Sequence, residues 1–518
     1  MKPCISNDFE YRVFNLLTGF CVPKMRYFLN GTLWLVKLGL LALLVGAITV
    51  YFFLRGSLPQ LNGEYRTTYL NHDVRIERDD LGIPTIYAKE RNETAFALGF
   101  LHAQERFFQM DLLRRRAAGE MAELLGDSQL ESDSRVRVHR FKERARLILA
   151  ELPPQKLRIL EVYTDGVNSG LEALSSPPFE YLLLGLTPRL WDMEDSLLTV
   201  FSMYLELNNQ QDIRERSLAL MQDMLPLEWY RFLTPKGGEW DAPLQGEAYA
   251  NAAQLPSQPL NFSIGALDHS LKPAVEVTRF INPNYQQTPL AGSNNWAVSG
   301  LLSPYRAALL ANDIHLPLRD PNAWYRASWF LADGRRVTGA TLPGTPAMAL
   351  GSNENISWGF TNSYGDWGDI IPLTMNEDNT RYWTDEGWQD FSIYTETITS
   401  RSGKQKQVMN IETLWGPVIG WDHLGRLLSY QWVAYSKQAV NLKLLELEMA
   451  NTTWEAIRLA PQLGMPPQNI ILADHKGNIA WTIAGAIPVR HSSAADTKPL
   501  SETGQSWSSY LQGEDYPR

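Results

Sequence analysis

The residues best placed to do chemistry are Gly292 and Ser293, inside Ala291-Gly292-Ser293-Asn294-Asn295-Trp296. Gly292 offers an unhindered carbonyl, and the Ser293 hydroxyl can attack it by an N→O acyl shift. Hydrolysis of the ester would leave Ser293 as a new N-terminus. An α-amine titrates near ~7.7–8.0, so it can serve as the base for its own hydroxyl. Gly-Ser-Asn is also ordinary turn chemistry, which keeps a plain loop entering a strand as the alternative. Asp366 and Asp369, three apart in Tyr-Gly-Asp-Trp-Gly-Asp, are hard oxygen ligands of the kind Ca²⁺ takes, or else turn formers. His315, after Asn312-Asp313-Ile314, reads by itself as a hydrogen-bonded loop histidine. The only cysteines are Cys4 and Cys21, so everything after them has neither disulfide nor thiol nucleophile.

These residues must be positioned by the elements around them. Residues 74–79 alternate like a half-buried strand, and 85–88 form a second after an Asp-Leu-Gly-Ile-Pro turn. A helical pattern runs from Asn92 past Arg114-Arg115-Arg116, and helical character continues with breaks to about Leu174. The triple arginine reads as a solvated or ion-paired face. Thr187-Pro188 caps a further helix to about Asn208. From 225 to 289 periodicity is lost and Pro, Gly, Gln and Asn accumulate, which suits a spacer. A strand is expected from Trp296, then short strands near 307–311, 323–331, 336–341, 356–360, 395–399, 407–412, 427–433, 470–474 and 479–483. One helix is expected at 439–449. Helices first and strands later predict an α+β protein.

The 518 residues carry a net charge of −10, which argues against nucleic acid, a partner that needs a basic surface. Hydrophobic residues at 44% suffice for a large core, into which the 17 Trp and 21 Tyr would go. Residues 33–54 form an apolar run broken only by Lys37, near the length of a membrane span. Lys2, Arg12, Lys24 and Arg26 precede it, a basic excess that keeps residues 1–32 cytoplasmic. The reading is a signal anchor in the inner membrane, with the remainder in the periplasm or outside the cell.

Several motifs in order carry a family resemblance. They are Arg78-Asp79 with Gly82-Ile83-Pro84, Ala103-Gln104-Glu105-Arg106, Gly292 to Trp296, and Ala311-Asn312-Asp313-Ile314-His315-Leu316. Pro343-Gly344-Thr345-Pro346, Gly351-Ser352-Asn353 through Thr361, Asp474 with Gly477-Asn478-Ile479, and Pro488-Val489-Arg490 follow. Together they resemble the penicillin acylase family of N-terminal nucleophile hydrolases, which cleave linear amides between an acyl group and an amine.

The resemblance implies a four-layer αββα fold. It is incomplete at the C-terminus here, because the family's next motif falls beyond Arg518. It implies an A-chain-like helical region at 57–235, a spacer at 236–292 and a B-chain-like catalytic region at 293–518, the two mature chains pairing with each other. Ser293 is then the nucleophile, exposed by cleavage after Gly292. His315 helps hold the amine, as in cephalosporin and acyl-homoserine-lactone acylases. The Asn362 backbone N–H is one oxyanion donor. Asp192, Asp366 and Asp369 would hold a structural Ca²⁺, and Leu186, Leu316 and Leu350 would line the pocket for a small acyl-amide substrate. An uncleaved, inactive relative that only binds a ligand is the competing reading.

Overall fold

The structure, a computed structural model, describes residues 10–208, 211–235, 237–238, 240–241, 254–260, 292–316, 319–490 and 507–518; side chains are described from Leu33 onward, apart from 211 and 212. Most of the expected 236–292 spacer lies outside the described residues. The chain divides into two compact units, 1–63 with 173–188, and 64–172 with 189–518.

The first unit is dominated by one helix, Glu10–Gly56. Its Leu33–Gly56 part is the one helix among the described residues long and apolar enough to cross a membrane, and none of that span is buried. A core helix would have been covered. In the same unit Ser176 N–H donates to the Gly56 carbonyl at 3.0 Å, beside the short helix Phe179–Leu184 that carries the chain to Leu186.

The second unit is built on an eight-stranded sheet of β1 (Arg75–Arg78), β2 (Pro84–Ala88), β5 (Tyr325–Leu331), β6 (Arg336–Thr341), β7 (Met348–Ser352), β8 (Ile356–Asn362), β16 (Gln468–Asp474) and β17 (Ile479–Ala484) in that spatial order. Only the β2–β5 pair is parallel; the other neighbours are antiparallel. Strand β5 shows why the sequence alternates: Tyr325, Ala327, Trp329 and Leu331 are buried while the residues between are not. The intervening strands are β3 (Ser293–Val298), β4 (Leu309–Ile314), β9 (Gly368–Pro372), β10 (Arg381–Thr384), β11 (Gly387–Asp390), β12 (Ser392–Thr399), β13 (Gln405–Glu412), β14 (Val418–Trp421) and β15 (Leu427–Trp432). Of these, β3 pairs with β4, and β14, β15 and β9 form a three-stranded sheet.

Two helices cross closely in this unit, Arg91–Ala118 and Pro154–Glu172. The first opens with the Glu93 carboxylate accepting the Glu90 N–H at 3.0 Å and closes at Gly119, φ +65°. Their contact depends on glycine. A Cβ on Gly166 would stand 2.1 Å from the Phe96 carbonyl oxygen, and one on Gly170 2.4 Å from that of Phe100. The triple arginine is ion-paired, as expected, but not all solvated. Arg114 is fully buried and bonds Asp111 and Asp195. Trp191, Trp329, Trp358 and Trp432 are fully buried too, whereas Trp296, Trp383, Trp388, Trp421 and Trp454 are exposed, so only part of the aromatic content goes to the core.

Two expectations fail. The helix expected at 439–449 is a 3₁₀ helix at Lys443–Met449, because Leu442 takes a left-handed φ of +57° and breaks the turn before it. The stretch read as aperiodic from 225 holds a short helix, Leu227–Leu233, begun by Pro226.

Candidate active site

Ser293 is the first residue of β3, three residues before the strand start read from the sequence, and lies opposite Ile314 in the antiparallel β3–β4 pair. The ladder continues one step further, with the His315 backbone N–H donating to the Gly292 carbonyl oxygen at 3.1 Å. That carbonyl is the one an N→O acyl shift would attack. Ser293 is part-buried, as are Asn295 and Ala297, while Asn294 and Trp296 on the other face are exposed.

One side chain fixes this hairpin to the large sheet. Asn312 Nδ2 donates to the Asn294 carbonyl (3.0 Å) and to the Phe360 carbonyl (2.9 Å), and its Oδ1 accepts the Phe360 N–H (3.0 Å). Gly359 makes the approach possible, since a Cβ there would lie 2.8 Å from Asn312 Cβ. Asn362 follows two residues later at the end of β8, opposite Gln468. Its side chain is held by Gln468 (Nε2 to Oδ1, 2.9 Å) and donates to the Leu207 carbonyl at 3.3 Å. The expected oxyanion donor is therefore on a braced strand end beneath the Asn312 clamp.

His315 follows the last residue of β4. Strand alternation puts Ile314 on the Ser293 face and Asp313 and His315 on the other. Nε2 of His315 pairs with Asp313 Oδ2 at 2.7 Å, with 54% and 64% of the two side chains exposed. The structure brings the His315 main-chain N–H to the Gly292 carbonyl. Asn295 belongs to the motif, but nothing in the sequence assigned it a role of its own. Both its amide atoms are buried and meet no partner among the described residues.

The acidic site also differs in one member. Asp366 and Asp369 come together, but their companion is Glu215 on the Gln211–Met224 helix, the ligand oxygens lying within 4.8 Å of one another. Asp192 instead forms a capping box with Asp195 at the start of the Met193–Leu207 helix. Asp195 in turn accepts the Asp192 N–H at 2.9 Å and Arg114 Nη1 at 2.5 Å. Burial, then the charges of Asp366 and Asp369, push the Glu215 carboxyl well above its usual range. Burial likewise raises Asp366 to about 6, with Arg490 opposing and Asp369 adding, although 41% of its side chain stays exposed.

The donor set fits a hard cation such as Ca²⁺. Glu215 Oε2 accepts the Ile370 N–H at 2.8 Å, and Gln431, opposite Asp369 in the β9–β15 pair, has a buried Oε1 without a partner among the described residues. Of the expected pocket residues, Leu350 is on β7 and Leu316 follows β4, both half-buried, and Leu186, also half-buried, belongs to the other unit.

A family model for penicillin amidase matches residues 73–518. The chain belongs to the penicillin amidase family. Similar family members include an acyl-homoserine lactone acylase, QuiP, of Pseudomonas aeruginosa, 28% identical over 84% of this chain and 52% of its own length. The penicillin acylase 2 proenzyme of Pseudomonas sp. is 27% identical over 84% and 55%, and the penicillin G acylase of Escherichia coli 24% identical over 92% and 60%. The chain spans about half the length of the curated relatives it matches. A solved thermostable penicillin G acylase from Alcaligenes faecalis aligns at 23% identity over 43% of this chain and 40% of its own, with a TM-score of 0.37.

Proposed function

We propose that this penicillin amidase family chain is a self-processing hydrolase of linear acyl amides, with Ser293 as its N-terminal nucleophile. The observation that carries the reading is the hydrogen bond from the His315 N–H to the Gly292 carbonyl, immediately before Ser293 at the mouth of a clamped hairpin.

In processing, Ser293 Oγ attacks the Gly292 carbonyl carbon. The developing oxyanion is received by the His315 N–H. The Gly292–Ser293 C–N bond breaks, the Ser293 nitrogen takes the hydroxyl proton, and an ester to Oγ remains. Water hydrolyses it, freeing the Gly292 carboxylate and the Ser293 amine. In turnover, that amine takes the Oγ proton through a bridging water, and Oγ attacks the substrate carbonyl. The Asn362 N–H stabilises the oxyanion, a donor worth roughly 3–4 kcal/mol when preorganised. The leaving amine departs with a proton, and water releases the acyl group from Ser293.

Glu215, Asp366 and Asp369 would hold a structural Ca²⁺ that offsets their mutual repulsion. The exposed apolar helix is an inner-membrane anchor, the catalytic part lying in the periplasm or outside. The two processed chains stay paired in the αββα arrangement of the family. Both acyl-homoserine lactones and penicillins suit the named relatives, and the aliphatic Leu316 and Leu350 favour a long aliphatic acyl chain. The test is to measure chain cleavage and release of long-chain acyl-homoserine lactone against penicillin, for the full chain and for Ser293→Ala. Two chains and full amidase activity in Ser293→Ala would end the proposal.

A further inference from the structure

The acidic cluster already contains a cation, the Arg490 guanidinium. Arg490 Nη1 lies 2.6 Å from Asp369 Oδ1 and 2.7 Å from Oδ2, so both Asp369 oxygens bond one nitrogen. Its Nη2 donates to the Asp366 carbonyl at 2.9 Å and approaches Asp366 Oδ1 at 3.0 Å. The group lies over the Trp507 ring, 5.0 Å from its centroid, and the Trp507 carbonyl accepts Gln431 Nε2 at 2.8 Å. The side chain is 16% exposed and Asp369 only 5%. A guanidinium does not lose its proton in a protein, so this charge is permanent. A metal ion bound by Glu215, Asp366 and Asp369 would draw on the same Asp369 oxygens that Arg490 holds.

We propose that Arg490 is the built-in counter-ion of this cluster, and that a divalent cation binding there takes Asp369 away from it. The guanidinium keeps the carboxylates together in the cation-free chain and competes with the ion for them. The inference rests on the cation-site reading of Glu215, Asp366 and Asp369 proposed above. It adds a residue that lowers, rather than raises, affinity for the ion. Like-sign repulsion works in the same direction as competition for the oxygens. Both make the wild type the weaker binder.

The test is calorimetric titration of Ca²⁺ into the EDTA-stripped full chain in detergent at pH 8, repeated with Tb³⁺ luminescence sensitised by the nearby tryptophans. Arg490→Gln is expected to bind Ca²⁺ about tenfold tighter or more than wild type, while Glu215→Gln loses binding. If Arg490→Gln does not fold without the ion, Arg490→Lys takes its place. It keeps the charge but not the two-armed grip, and is expected to bind a few-fold tighter. Equal or weaker binding by the variant that folds would overturn the proposal and leave the cation site standing, with Arg490 as an orienting group. No Ca²⁺ uptake by wild type and Arg490→Gln alike would overturn both.

Discussion

Replacing Asn312 by alanine tests the geometry on which the site depends. The carboxamide makes three hydrogen bonds, to Asn294 O and to both polar groups of the Phe360 backbone. Phe360 is buried, so the substitution leaves its N–H and C=O without side-chain partners at that spot. Each unpaired buried group costs about 1–3 kcal/mol. The loss should therefore be roughly 2–5 kcal/mol, concentrated on the docking of β3–β4 to β8 rather than spread over the fold. Much of that can appear as local opening of the hairpin. The expected result has two parts. Hydrogen exchange in 293–314 speeds up by more than about tenfold, since every 1.4 kcal/mol is tenfold in population. Cleavage after Gly292 slows sharply, because Ser293 and the His315 N–H share that hairpin. Asn312→Asp, nearly isosteric, keeps the bond from Phe360 N–H but loses both donations and should fall between. Wild-type exchange and wild-type cleavage in Asn312→Ala would refute the reasoning.

Other outcomes follow from the same coordinates. Gly359→Ala places a methyl 2.8 Å from Asn312 and should destabilise by about 1–3 kcal/mol, slowing cleavage without touching any reacting atom; thermal melts with a cleavage time course check this. The buried His102 and the half-buried His139 are held neutral, each at about 3, by desolvation first and then by Arg106 and Arg144 respectively. Unfolded histidines take a proton near ~6.5, so the unfolded chain binds more protons between about pH 6.5 and 3. Stability is then full above about pH 6.5 and falls as the pH drops, approaching ~2.7 kcal/mol per pH unit for the two together; denaturant melts of His102→Gln and His139→Gln should flatten that slope. Asp192→Ala should cost about 1 kcal/mol of helix-cap stability and leave Ca²⁺ binding intact, whereas Glu215→Gln should remove the Ca²⁺-dependent rise in melting temperature. A melt of each with and without the ion separates cap from ligand.

The parts of this molecule that were legible in sequence are those governed by short-range rules. Strands β5, β6, β16 and β17 lie close to where the pattern predicts them, β5 with strict alternation, and Gly292-Ser293 lies where a strand begins. The mixed sheet with a leading set of helices also emerged from the pattern. What stayed hidden depends on distant contacts or on one backbone angle. Glu215 lies in an ordinary-looking polar helix, and only the fold brings it to Asp366 and Asp369. Arg490 meets Asp369 across 121 positions of chain, which no spacing rule reports. His315 could be picked by motif, but its face of β4 follows from the register with Ser293. Asp192 could be picked by resemblance, but its capping of the Met193–Leu207 helix appears only in the structure. Leu442 in a left-handed turn defeats a helix that its neighbours' periodicity favours.

The most direct test of the account is the intact mass of the purified full chain, with N-terminal sequencing of any pieces. The account predicts two chains, one beginning Ser-Asn-Asn-Trp at Ser293, and a single uncut chain for Ser293→Ala. A wild-type chain that stays uncut, or is cut elsewhere and equally in Ser293→Ala, would contradict it.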